Sequence, residues 1–112
     1  MDKNAVISAL ASLTHEARLD IFRKLVEYRP DGLPAGRIGE LLDINPTNLS
    51  YHLNQLRHAG LIESRRQGRS LIYTAKTETI DELMDYLREN CCTASVLGDA
   101  GLPAAGQKRR SA

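Results

Sequence analysis

Apolar positions recur at spacings of three and four through most of this chain, switch to alternation past its midpoint, and then return to helical spacing. From Asn4 to Leu13 the run NAVISALASL is rich in helix formers, and Thr14 offers an N-cap for a second helix over Thr14–Arg29 with Glu16 in its first turn. In that helix Ala17, Ile21 and Leu25, with Phe22 and Val26, form a broad buried face. Pro30-Asp31-Gly32 ends it, and Leu33-Pro34 reads as a short extended link. Ala35–Asp43 then predicts a short helix with Ile38, Leu41 and Leu42 inward. Asn45-Pro46, a polar cap followed by proline at the first helical position, opens a helix through His58 with Leu49, Leu53 and Leu56 inward, and Gly60 stops it.

Beyond Gly60, Leu61–Arg66 and Ser70–Ala75 read as two strands around Gln67-Gly68-Arg69, a β-hairpin with a basic tip. A final helix is expected over Thr77–Cys92, capped by Thr79 or Thr77, with Ile80, Leu83, Met84, Leu87 and Cys91 on one stripe. The expected organisation is therefore one domain over residues 1–92 and a flexible Gly/Ala/Ser-rich tail over 93–112. This order of elements is the outline of a winged helix-turn-helix: mainly α with a small β-hairpin wing, in which the helix after the turn enters the DNA major groove and the hairpin lies beside the backbone.

Composition narrows the alternatives without choosing among them. At 112 residues, 42% hydrophobic and 26% charged, the chain can build one ordinary globular core. No run approaches a membrane span and Met1-Asp2-Lys3-Asn4 does not open a signal sequence, so a cytoplasmic protein with no membrane partner is expected. Fifteen Lys/Arg nearly balance 14 Asp/Glu, yet the charge is uneven: residues 45–76 hold five basic side chains against one acidic, and 77–92 hold one against five. The basic middle third is a possible footprint for a polyanion. No nucleophile–base pair, glycine-rich phosphate loop or metal-water site stands out, so no enzymatic activity and no required cofactor are expected.

The stretches Leu10-Ala-Ser-Leu-Thr-His-Glu-Ala-Arg-Leu-Asp-Ile-Phe, Asn48-Leu-Ser-Tyr-His-Leu-Asn-Gln-Leu-Arg-His-Ala-Gly-Leu-Ile and Arg66-Gln-Gly-Arg-Ser-Leu-Ile-Tyr resemble the ArsR/SmtB family of bacterial metal- and metalloid-responsive repressors. The resemblance runs from about residue 5 to 92. It implies a homodimer with the first and last helices at the dimer interface, bound to an inverted repeat of double-stranded DNA.

In the presumed recognition helix, Thr47, Asn48, Ser50 and Tyr51 lie near an N-terminus whose dipole and free N–H groups favour phosphates, and their short polar side chains suit base edges. His52 either faces the groove with them or satisfies a polar group in the core. Arg57, Arg65, Arg66 and Arg69 are expected on phosphates, which guanidinium groups bind in bidentate fashion.

Family members sense ligands at several places. The thiolate site on the helix before the turn requires cysteines where this chain has Glu40-Leu41-Leu42-Asp43. The zinc and cobalt site on the final helix requires histidine, and that helix has Asp81, Glu82, Asp85 and Glu89 but none. His15, His52 and His58 show no ligand spacing. There remain Cys91 and Cys92, adjacent soft donors at the end of a helix expected at the dimer interface, where some arsenic-responsive members also carry cysteines. With no third cysteine, the inducer is expected to be arsenite completed by another ligand, or a trivalent organoarsenical such as methylarsenite that needs only two sulfurs. Neighbouring helical residues point about 100° apart, so ligation by both is expected to unwind the last turn and release DNA. Two other functions are kept open: a thiol-redox regulator of the same fold, and a ligand-free protein-interaction module.

Overall fold

Each of the longer N-terminal helices begins where a side chain can take up a free N–H group. In the computed structural model, which describes residues 1–89, α1 spans Lys3–Leu13 and Asp2 caps it, its carboxylate accepting from the Ala5 N–H at 2.8 Å. The second helix, α2, spans Glu16–Glu27 and starts later than its sequence predicts. Thr14 is not its cap. The Thr14 hydroxyl donates backward to the Ala11 carbonyl at 2.7 Å and closes α1, while His15 Nδ1 accepts from the Ala17 N–H at 3.2 Å and opens α2. An imidazole nitrogen performs here the role expected of a hydroxyl.

Leu33–Pro34 is more than a link, because it forms a two-residue strand, β1, against the hairpin. The hairpin strands are β2, Ile62–Gln67, and β3, Ser70–Ala75; the sheet is antiparallel in the order β1-β3-β2. Two residues, Gly68-Arg69, connect the hairpin, with Gln67 paired to Ser70.

Between β1 and β2 lie α3, Ala35–Leu42, and α4, Pro46–His58. The turn between them is short: Asp43 takes the left-handed conformation (φ 56°), and Ile44 donates to the Gly39 carbonyl at 3.1 Å. A side chain at Gly39 would press on the Ile44 carbonyl and on Leu49, so the missing Cβ lets the two helices approach. Asn45 caps α4 by accepting from the Asn48 N–H at 2.9 Å, and Pro46 follows at the first helical position, as the sequence predicts.

The far end of α4 is a Schellman motif. Gly60, at φ 78°, donates to the Arg57 carbonyl (3.0 Å), and Leu61 donates to the Leu56 carbonyl (3.0 Å). The motif drives Leu61 into the core beside Leu56, both wholly buried. Ile21 and Leu25 of α2, Ile38 of α3, Leu49 and Leu53 of α4 and Ile62 of β2 belong to the same core. Truncating a wholly buried leucine such as Leu56 to alanine costs about 2–5 kcal/mol in cores of this kind.

The last helix, α5, spans Thr77–Arg88 and is shorter than predicted. Neither Thr77 nor Thr79 caps it by a side-chain bond; Thr79 turns inward instead, and Lys76 stands at the N-cap. Glu89, at its C-cap, takes extended backbone (φ −50°, ψ 147°), and Ile80, Leu83, Met84 and Leu87 of the expected stripe lie within α5. Cys91, Cys92 and the expected tail lie outside the described residues. Among the described residues, no helix is long and apolar enough to cross a membrane.

Candidate nucleic-acid interface

Helical geometry divides α4 into two faces. Successive residues turn by about 100°, so Leu49, His52, Leu53 and Leu56 share one face and Thr47, Tyr51 and Asn54 share the opposite one. The structure buries the first set and exposes the second. Ser50 flanks the outer face on one side and Asn48 on the other, both exposed. Thus Thr47, Asn48, Ser50 and Tyr51 all stand clear of the core on the first two turns of one capped helix. Tyr51, the largest of the four, is 58% exposed.

Asn54 and Gln55 continue that surface, and sequence reasoning missed them. The signal was available, since they lie one turn beyond Ser50 and Tyr51. Arg57 is exposed near the C-terminal end and donates to Asn54 Oδ1 at 3.3 Å.

His52 does not lie on the outward face with Tyr51. It is 8% exposed, because the spacing of three from Leu49 and four to Leu56 turns it inward. Its Nδ1 faces Arg18 Nη1 at 3.4 Å, and its ring lies 4.6 Å from that of His15. Burial pushes its pKa below the ordinary imidazole value, and the neighbouring His15 and Arg18 push it the same way.

The wing arginines separate. Side chains alternate along a strand, so Arg65 and Arg66 point to opposite faces of β2. Arg65 folds back on the turn before β1, donating to the Asp31 carbonyl at 2.9 Å and to Gln67 Oε1 at 3.4 Å. Arg66, one residue on, and Arg69 at the hairpin connection are exposed. All four predicted arginines are therefore on the surface, with Arg65 and Arg66 on opposite faces of the wing.

A second exposed surface is apolar. Ile7 and Leu10 on α1 are 56% and 40% exposed, and Met84 and Leu87 on α5 are 42% and 49% exposed. The two helices pack against each other. Among the described residues, no group of three or more His, Cys, Asp or Glu side chains converges as a metal site would require.

Comparison with known proteins bears on this arrangement. Residues 13–65 match a helix-turn-helix domain family. Over 92 residues, 79% of this chain and 74% of the relative, the sequence is 36% identical to an uncharacterised HTH-type transcriptional regulator of Mycobacterium tuberculosis, MT0088. Over 97 residues, 85% of this chain and 87% of the relative, it is 27% identical to the transcriptional activator HlyU of Vibrio cholerae. The backbone superposes with a TM-score of 0.63 on a homodimeric winged helix-turn-helix DNA-binding domain of Mycobacterium bovis, a possible ArsR-family regulator; the two are 22% identical and the match covers 90% of this chain and 89% of that one.

Proposed function

Because the chain belongs to the helix-turn-helix transcriptional regulators with an ArsR-like winged-helix fold, we propose that it is a homodimeric repressor that reads an inverted-repeat operator and releases it on binding trivalent arsenic. The observation that carries the DNA reading is the two-faced α4: apolar residues lock one side to the core, and Thr47, Asn48, Ser50 and Tyr51 stand free on the other. In this reading those four side chains contact base edges, and Arg57, Arg66 and Arg69 contact phosphates. Arg65 contributes less, since its guanidinium is already occupied by the Asp31 carbonyl.

The exposed stripe of Ile7, Leu10, Met84 and Leu87 supports a dimer through α1 and α5, the faces at which the family resemblance also puts the interface. A two-fold axis there places two recognition helices about 34 Å apart, one turn of DNA. The relatives regulate transcription, and one is named an activator; the repressor direction rests on the resemblance to ArsR/SmtB proteins.

The inducer reading rests on the chemistry of Cys91 and Cys92, adjacent thiols in the segment that follows α5. Thiolates suit soft, thiophilic centres. Each sulfur replaces one hydroxyl on arsenic, and the thiol proton leaves with that hydroxyl as water. Methylarsenite is satisfied by two such bonds, whereas arsenite needs a third ligand.

The test is fluorescence anisotropy on DNA selected from a random pool by the protein itself, titrated with arsenite and then methylarsenite under reducing conditions. Release at near-stoichiometric ligand by the wild type, and retention of DNA by Cys91→Ser/Cys92→Ser, is the expected result. Unchanged release by the double variant removes the cysteines from the mechanism. Release by peroxide in the absence of arsenic assigns them to redox sensing instead.

A further inference from the structure

Arg18 stands at the junction of three helices and belongs to none of the surfaces described above. From the first turn of α2, its Nε donates to the Ser12 carbonyl at the end of α1 (2.8 Å), and its Nη1 faces His52 Nδ1 on α4 (3.4 Å). Its Cζ lies 5.9 Å from the centroid of the Tyr51 ring, also on α4. A guanidinium stays charged and can only donate, so His52 Nδ1 is the acceptor and the imidazole proton sits on Nε2. The planar fork serves a carbonyl and an imidazole together while a ring packs against it; a lysine ammonium has no such shape. Tyr51, mostly in solvent, touches His52 edge-on at 5.6 Å and is otherwise approached by Arg18. The two α4 residues facing Arg18 are consecutive, one buried and one exposed, so one guanidinium links the inner side of the helix to its largest outward side chain.

We propose that Arg18 is the positioning residue of the recognition helix, setting sequence selectivity through Tyr51 and His52 without itself contacting DNA. This rests on the reading that α4 enters DNA, and the experiment separates the two.

Wild type, Arg18→Met and Arg18→Lys are measured by anisotropy on the wild-type-selected DNA and on a scrambled duplex, each across a salt series. Histidine tautomers and titration are followed by nitrogen-15 NMR. Arg18→Met is expected to lose roughly tenfold in affinity for the selected site, from one cation–π contact and one hydrogen bond. The same variant should change little on scrambled DNA and keep its salt slope, and His52 should titrate at higher pH with its Nε2–H tautomer no longer enforced. Arg18→Lys should fall between, and it decides the selectivity ratio should Arg18→Met not fold. Equal losses on both duplexes, with the salt slope reduced by about one, would make Arg18 a phosphate contact and overturn the proposal. Selection of the same site at unchanged affinity by Arg18→Met would overturn it as well. A wild type that selects no sequence removes the DNA reading itself, and the proposal with it.

Discussion

The Thr79 hydroxyl of α5 donates to the Gly60 carbonyl at 2.6 Å, joining the last helix to the residue that terminates α4. Thr79 is buried, at 9% exposure, and Gly60 is half-buried. One residue before α5, Lys76 donates to the Leu61 carbonyl at 2.9 Å. The start of α5 is thus hydrogen-bonded directly to the end of the helix that carries Tyr51. Thr79→Val keeps the shape and removes the donor, leaving the Gly60 carbonyl without it. We expect a loss of about 1–3 kcal/mol in urea unfolding, and a stability unchanged within error would show that water replaces the hydroxyl.

Stability should fall as the solution is acidified from neutrality. His52 is held below the ordinary imidazole pKa by burial, with Arg18 and His15 across from it on α2 and at its cap. Above about pH 6.5 both folded and unfolded chains carry it neutral. Below that, the unfolded chain binds the proton first, and stability drops until the pH passes the lowered native value. The check is the midpoint of urea unfolding between pH 7 and 5, where His52→Gln should flatten the slope.

Salt dependence should sort the arginines. Arg66→Ala and Arg69→Ala should each weaken DNA binding across all sequences and lower the slope of log K against log salt by about one. Arg65→Ala should lower it less, because its guanidinium is engaged with the Asp31 carbonyl. Equal slopes for all three variants would show that Arg65 swings free on DNA.

Asn45→Ala removes the side chain that satisfies the Asn48 N–H. Loss of an N-cap costs about 1 kcal/mol. Here the loss falls on the first turn of α4, so DNA affinity should drop together with thermal stability, and the neutral cap of Asn45→Ser should restore both.

The legible and illegible parts of this fold differ in how local their causes are. The bounds of α4 follow from Asn45-Pro46 and Gly60, whose effects act within a few residues. The start of α2 is not legible to the residue, because His15 competes with Thr14 for the same role and side-chain chemistry alone does not rank them. β1 escaped because two residues ending in proline carry no strand signal, and its partners Tyr73 and Ile72 are some forty residues on. The apolar stripe of α5 is legible in Ile80, Leu83, Met84 and Leu87, which lie within the helix. His52 was ambiguous by residue type, although its spacing to Leu49 and Leu56 already pointed inward. Arg18 gave no signal, since its contacts with Ser12 and His52 span six and 34 positions.

The two-residue β1 also bears on how the protein behaves when crowded. A three-stranded sheet has two open margins, and an open margin invites another chain to zip on and begin an aggregate. Along β1 the template is only Leu33–Pro34, and the proline has no N–H to offer. Along β2 the margin carries Glu63, Arg65 and Arg66, charged side chains that an added strand would have to strip of water. Both margins are thus poor templates for growth, which lets an exposed hairpin stay at the surface without seeding fibres.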